Sequence, residues 1–302
     1  MTKKTLLFIM RDCIKGGEAI FYKKLKKALE KNGFTIKTVS FIGDLEGNGS
    51  KKGDKIYFLN KVKIFRKVFP HPNSLKLIAK LSFSSHVSIH HIFDIYSIFF
   101  FFASYLKNKN TIITFHINLN IAPPYLKSFY NCLVRIFLIN LLAPFTKKII
   151  FITSSQKNLY YKRCIFKKIF LKKSIVIPNF IEKGIVLNKK KNIDKKGRLN
   201  VIFVGRLIKA KGFHDLVSLF RRLKNEKIHL DIIGEGKLKS KIKADRNIRF
   251  LGTMSNRKVF EYYDQNDILI LPSYTEVFPI ILLEAMARGL VVLVSDIPGI
   301  RE

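Results

Sequence analysis

Between residues 198 and 302, five short apolar runs recur at near-regular intervals: 199–204, 228–233, 248–251, 267–271 and 290–294. Each is rich in Val, Ile, Leu or Phe, the composition of buried strands. The segments between them, such as 213–224 and 256–263, carry apolar residues at helical spacing. Parallel neighbours cannot be joined by a tight turn, so strand–helix alternation of this length dictates a doubly wound parallel α/β sheet. The first half repeats the theme less regularly. Strands are expected at 5–10, 35–41, 86–90, 111–115, 148–153 and 174–177, with a helix over 18–31 that buries Phe21, Leu25, Ala28 and Leu29. Between the halves "NKKKNIDKKGRLN" (188–200) is polar and charged, and reads as a linker. The expected domains are therefore 1–197 and 198–302, with the linker at about 188–198. A chain of 302 residues has room for two cores. Ligands of such sheets bind outside the carboxyl ends of the strands, which directs attention to the loops 204–212, 233–236, 251–256 and 271–279.

Charge is distributed unevenly. Residues 1–197 hold 38 Lys+Arg and 9 Asp+Glu, a net of +29, whereas residues 198–302 hold 18 and 12, a net of +6. Lysine bias spread over solvated faces accounts for some of this, but not for the asymmetry. An anionic membrane surface or a polyanionic acceptor accounts for both, and no nucleic-acid recognition motif accompanies the charge. Cys13, Cys132 and Cys164 form neither a metal spacing nor an even disulfide framework, so reduced thiols in a cytoplasmic setting are expected. The opening "MTKKTLLFIMRD" is too short in apolar residues for a signal peptide and reads as a first strand. The greasiest run, 95–106, is too short to span a bilayer.

The stretch "TEVFPIILLEAMARG" (275–289) places two carboxylates around an apolar run. Pro279 suits the first helical position and Gly289 the position just past the end. Residues 280–287 are apolar on every side except Glu284, so a buried helix carrying a buried carboxylate is expected. Such a carboxylate costs several kcal/mol unless partnered. A core Arg or Lys would satisfy it, and so would polar groups of a ligand in a cleft shared with Glu276.

Taken in order, Gly205-Arg206 with Lys211 five residues on, Gly234-x-Gly236, Leu251-Gly252, Pro272-Ser273 and Glu276-x7-Glu284 resemble the retaining glycosyltransferases of family 4. The resemblance implies the GT-B fold: two Rossmann-like domains facing across a crevice, the second binding a nucleotide-diphospho-sugar. It implies that Arg206 and Lys211 clamp the diphosphate, that Glu284 holds the ribose hydroxyls and that Glu276 binds the transferred sugar. Gly205 and Gly234 then line the donor, and the backbone of Phe278 and Ile280 meets its anionic end, where helix N-termini favour negative charge. In the first half, Gly16 and Gly17 in "KGGEAIF" resemble the family's Gly-Gly-x-Glu loop, and His116 in "ITFHINL" resembles its active-site histidine. His90 and His91 end another strand, where either could line the acceptor side. The loop departs from the family at Val277 and at Pro279, where many members have Gly, which leaves the donor sugar open.

No Asp-x-Asp or Cys-x-x-Cys is present, and Arg, Lys and a helix terminus already bring positive charge to the diphosphate, so neither a cofactor nor a metal is expected. Gly234 and Gly236 lack the third glycine and the acidic residue of a dinucleotide fingerprint. Family members continue past the fifth strand, so a truncated donor domain is expected here. The implied activity is retaining sugar transfer to a cell-envelope glycan or lipid-linked acceptor, by a protein peripheral to the inner face of the cytoplasmic membrane. The alternative is a truncated, non-catalytic remnant that binds polyanions or membrane.

Overall fold

The computed structural model describes residues 4–12, 17–42, 56–58, 61–64, 67–70, 72–92, 97–116, 125–186, 197, 199–223, 227–239 and 246–302. The chain divides into two compact units, 1–178 and 179–302.

The first unit runs β1 (Thr5–Asp12), α1 (Gly17–Lys31), β2 (Thr35–Ile42), β3 (Ile56–Phe58), β4 (Lys61–Ile64), β5 (Lys67–Pro70), α2 (Pro72–Phe83) and β6 (Val87–His91). It continues with α3 (Ser97–Tyr105), β7 (Thr111–Phe115), α4 (Tyr125–Leu142), β8 (Lys148–Phe151), α5 (Ser154–Tyr161), α6 (Lys167–Lys173) and β9 (Ser174–Val176). Its parallel sheet has the order β3-β2-β1-β6-β7-β8-β9, with β4 and β5 as a separate antiparallel pair. The pleat sorts β1 between two layers. Leu6, Phe8 and Met10 meet Tyr22 of α1, while Leu7 and Ile9 meet Ile78 and Leu81 of α2 and Phe100 of α3. Residues of α3, α4, α5 and α6 share one further cluster over β7 and β8, built around Phe101, Phe115, Leu138, Phe151, Tyr160 and Phe170. The apolar run at 95–106 is largely α3, which packs into this layer. Among the described residues no helix is long and apolar enough to cross a membrane.

The second unit runs β10 (Leu199–Val204), α7 (Phe213–Leu223), β11 (Ile228–Ile233), β12 (Ile248–Gly252), α8 (Asn256–Gln265), β13 (Ile268–Leu271), α9 (Ile280–Ala287), β14 (Val291–Val294) and α10 (Pro298–Arg301). Every pairing in the sheet is parallel, with the order β12-β11-β10-β13-β14. All five apolar runs read from the sequence are strands. The strand order reverses direction between β10 and β13, so the loops after those two strands flank the switch point where this architecture binds ligands.

The domain boundary differs from the expected one near residue 197. The contacts place it between Pro178 and Asn179, because residues 179–186 are tied to the second unit. Asn179 Nδ2 donates to the Phe278 carbonyl at 2.7 Å, and Arg288 Nη1 donates to the Ile185 carbonyl at 3.2 Å. A polar composition marked residues 188–198 as a linker, but composition says nothing about where the preceding residues make their contacts. Most of that linker lies outside the described residues.

Candidate active site

The loop after β10 and the loop after β13 form one structure. Gly212 has φ +63°, and a Cβ there would lie 1.9 Å from the Pro272 carbonyl oxygen. Only glycine permits both that backbone and that approach. Two residues past Pro272, Tyr274 N–H donates to the carbonyl of Ala210, two residues before Gly212, at 3.0 Å. The juxtaposition brings Lys211 Nζ onto Glu276 Oε1 in a short, charge-assisted contact, and Ser273 Oγ donates to the same oxygen at 2.7 Å. Both charged side chains are largely withdrawn from water, with 18% and 10% of their side-chain surface exposed. Arg206, on the same loop as Lys211, stands exposed. From the other side Gly299 of α10 approaches so closely that a Cβ would meet the Val277 and Glu276 carbonyl oxygens at 2.3 and 2.4 Å. The backbone carrying Glu276 is thus held from two directions.

Gly205 and Gly234 have a structural part besides the expected one of lining a donor. A Cβ on Gly234, whose φ is +141°, would lie 1.9 Å from the Gly205 carbonyl oxygen. Gly205 N–H reaches the Ile233 carbonyl at 2.9 Å, and Gly234 N–H reaches the Gly252 carbonyl at 2.8 Å. The three glycines lace the carboxyl ends of β10, β11 and β12 together by backbone alone.

Helix α9 departs from expectation at its start. Pro279 occupies the N-cap, with extended ψ of 119°, and the first helical residue is Ile280. The N-cap accommodates Pro279 because that position does not require an N–H for the helix. At the far end Gly289 stands just past the helix as expected; its N–H bonds the Met286 carbonyl and Leu290 N–H bonds the Ala285 carbonyl, which makes the closure a Schellman motif. Glu284 is buried as expected, but the helix is not buried all round: Met286 is 55% exposed. Glu284 lies near Tyr263, whose phenol is pushed up by burial and then by that carboxylate. Asn179, bonded to the Phe278 carbonyl, anchors the entry to α9. Its Pro-Asn setting directly after a strand was the available signal for a fixed turn.

In the first unit His116 follows β7 at the carboxyl edge of the sheet. Its ring stacks on His91, with centroids 4.6 Å apart and planes 1° from parallel, and packs on Phe21 of α1 at 5.6 Å. Gly17 opens α1, while Gly16 lies outside the described residues. His90, one residue before His91, is fully buried beside Phe101. Burial, with His91 adding to it, pushes its pKa from 6.5 down to about 3.

That depression has a stability consequence of definite sign. Folded His90 stays neutral where the unfolded chain binds a proton, so its stabilising contribution is complete above about pH 6.5 and is lost as pH falls toward 3. The slope is about 1.4 kcal/mol per pH unit, or about 2 kcal/mol between pH 6.5 and 5. Urea unfolding at pH 7 and pH 5 is expected to show this loss in the wild type and to lack it in His90→Leu. Equal pH dependence of the two proteins would refute the assignment.

A hollow of about 350 Å³ opens at the opposite, amino ends of β10–β12, lined by Asn200, His229, Asp231, Arg246 and Arg249 among others. Asp231 is already engaged there by Arg249 through two 2.8 Å contacts, and the hollow holds none of the residues assigned from the motifs. Among the described residues, no group of three or more His, Cys, Asp or Glu is placed to hold a metal ion.

The family model described as glycosyl transferases group 1 matches residues 186–302, the segment that carries the Lys211–Glu276 pair and Glu284. This segment is a group 1 glycosyltransferase domain. Beyond it, an uncharacterized glycosyltransferase of Haemophilus influenzae is 27% identical over 315 residues, covering 99% of this chain and 83% of the relative. The N,N'-diacetylbacillosaminyl-diphospho-undecaprenol alpha-1,3-N-acetylgalactosaminyltransferase of Campylobacter jejuni is 30% identical over 168 residues, 51% of this chain and 44% of its own length. Several other curated relatives align over only 33–36% of this chain and 25–30% of their own length. Among solved structures, Anabaena Alr3699/HepE in complex with UDP and glucose aligns with a TM-score of 0.71 at 13% identity, over 98% of this chain and 82% of that one. At that identity the likeness shows the fold, and the fold is GT-B.

Proposed function

We propose that this group 1 glycosyltransferase chain moves a sugar from a nucleotide-diphospho-sugar to a cell-envelope glycan or lipid-linked acceptor, with retention of configuration and without a metal. The observation that carries the proposal is the Lys211–Glu276–Ser273 cluster at the switch point, with Arg206 exposed on the same loop. Breaking a sugar–phosphate bond builds negative charge on the departing diphosphate. Fixed cations aimed at that charge stabilise the transition state more than the bound substrate, which is what accelerates a reaction. In this reading Arg206 and Lys211 face the diphosphate, and Gly205 and Gly234 let its oxygens approach backbone. N–H groups at Phe278 and Ile280 face its anionic end. Carboxylates suit polyols because each oxygen accepts hydrogen bonds from hydroxyls. Glu276 accordingly takes hydroxyls of the transferred sugar and Glu284 those of the ribose, while His116 acts at the reacting sugar and Gly16 and Gly17 at its phosphate. The Campylobacter relative's name, with its diphospho-undecaprenol acceptor, supports a lipid-linked acceptor. The net +29 of residues 1–197 supports work at the anionic inner face of the cytoplasmic membrane.

Calorimetry with a set of UDP- and GDP-sugars, joined to an assay of nucleotide release in the presence of envelope lipid extract, tests the reading. One donor is expected to bind and to release nucleotide only when acceptor is present, and a product of inverted configuration would refute retention. The same excess of charge favours one second reading, a non-catalytic remnant that binds polyanions or membrane. Folded protein that binds no donor but does bind anionic vesicles or polyanions would establish it.

A further inference from the structure

Among the described residues of the first unit, the exposed large apolar side chains are not scattered. Apart from Ile177, just past β9, they all belong to α2–α6 and the turns between them, and none is on the described side chains of α1, which covers the other face. Five form the outer surface of the α4–α6 region: Leu133 and Phe137 on α4, Ile165 and Phe166 in the turn before α6, and Leu171 on α6. Ile165 is 77% exposed and Phe137 53%. The turn is fastened to α4 by Asn140, whose Oδ1 accepts from Ile165 N–H at 2.7 Å and whose Nδ2 donates to the Arg163 carbonyl at 3.2 Å. The end of α6 is fastened by Lys173 Nζ, which donates to the Pro144 carbonyl at 2.8 Å. Helix, turn and helix therefore present one rigid surface. Tyr160 and Phe170, which flank the turn in sequence, are core residues and take no part in it.

The charge of the same layer is one-sided. Residues 95–181 contain 13 Lys and Arg and not one Asp or Glu. Lys162, Arg163, Lys167, Lys168 and Lys172 stand exposed among the apolar side chains. Exposed Leu, Ile and Phe on a water-soluble surface mark a contact with something apolar, while an acid-free set of lysines marks something anionic. An anionic bilayer is both: acyl chains receive the apolar tips as lipid phosphates receive the lysines. A nucleic acid would engage the lysines but would leave Leu133, Ile165 and Leu171 without a role.

We propose that α4, the turn 162–166 and α6 form the face that docks on an anionic lipid bilayer. This rests on the membrane part of the function proposed above and is independent of the donor chemistry. Flotation of the full chain with vesicles of phosphatidylcholine, alone or mixed with phosphatidylglycerol, at low and high salt tests it. Three paired variants separate the contributions: Lys167→Glu with Lys168→Glu, Ile165→Ser with Phe166→Ser, and Lys23→Glu with Lys27→Glu on α1 as the control of equal charge change. The wild type is expected to float with the anionic vesicles at low salt and to be released at high salt. The first two variants should lose about tenfold or more in binding, and the α1 control only a small fraction of that. Equal loss in the two charge variants would overturn the face while leaving membrane binding intact, as would full binding by the Ile165/Phe166 variant. A wild type that ignores vesicles yet retains single-stranded RNA would overturn the membrane reading itself, leaving the donor screen to judge the transferase.

Discussion

Lys211→Ala is expected to lower sugar transfer about 100- to 1,000-fold, the range found when one preorganised charge-stabilising donor is removed. The protein should remain folded, because Glu276 keeps the 2.7 Å bond from Ser273 and the two loops remain joined through Tyr274 N–H and the Ala210 carbonyl. The loss should appear in kcat as well as kcat/KM, since the diphosphate gains charge on the way to the transition state. Lys211→Arg retains the charge but not the point-like ammonium that fits beside Glu276, so partial recovery is expected. Steady-state kinetics with the donor identified by the screen provide the measurement. A variant within about threefold of wild type would show that Lys211 serves only as the counter-ion of Glu276.

The second large effect is structural. Gly234→Ala places a methyl group 1.9 Å from the Gly205 carbonyl oxygen and 2.9 Å from its carbon, on a residue with φ of +141°. Backbone strain of about 1–3 kcal/mol and overpacking of similar size both apply, for a combined loss of about 3 kcal/mol or more. Neither obstacle yields to a side-chain rotation, because the opposing atoms are backbone. Denaturant unfolding of Gly234→Ala should therefore show a much lower midpoint than Gly33→Ala. Gly33 also has positive φ, at +83°, but a Cβ there meets nothing within 4 Å and so isolates the backbone cost. Similar losses in the two variants would mean that the approach of β10 to β11 is not what requires Gly234.

The second unit was the more legible in sequence for a physical reason. Strands buried on both faces of a parallel sheet must be largely apolar, and residues 201–204 of β10 and Ile268–Leu271 of β13 are unbroken apolar runs. The first unit was harder to read. The α3 stretch "SIFFFFASY" is apolar at nearly every position, so it carries little helical period, and only the packing of Phe100 and Phe101 into two different clusters reveals its two buried sides. The boundary was misplaced because Asn179 and Ile185 declare their allegiance through single hydrogen bonds to residues about a hundred positions away. In the site, the burial of Glu284 followed from its apolar neighbours. The pairing of Lys211 with Glu276 did not, since it depends on Gly212 tucking under Pro272, a contact across 60 residues of chain.

That pairing gives the loop the character of an ion exchanger. Lys211 already has a counter-ion, and on the proposed reading an arriving diphosphate takes the place of the Glu276 carboxylate, which turns to the hydroxyls of the sugar. One anion leaves the ammonium as another arrives, so the exchange liberates fewer small ions from solution than phosphate binding to a bare cluster of lysines would. Donor affinity should consequently fall only shallowly with added salt, in contrast to the steep salt dependence expected of the proposed docking of the lysine-rich first unit on a charged surface. Within a single chain, ionic strength would then govern where the protein resides much more than whether it is charged with donor.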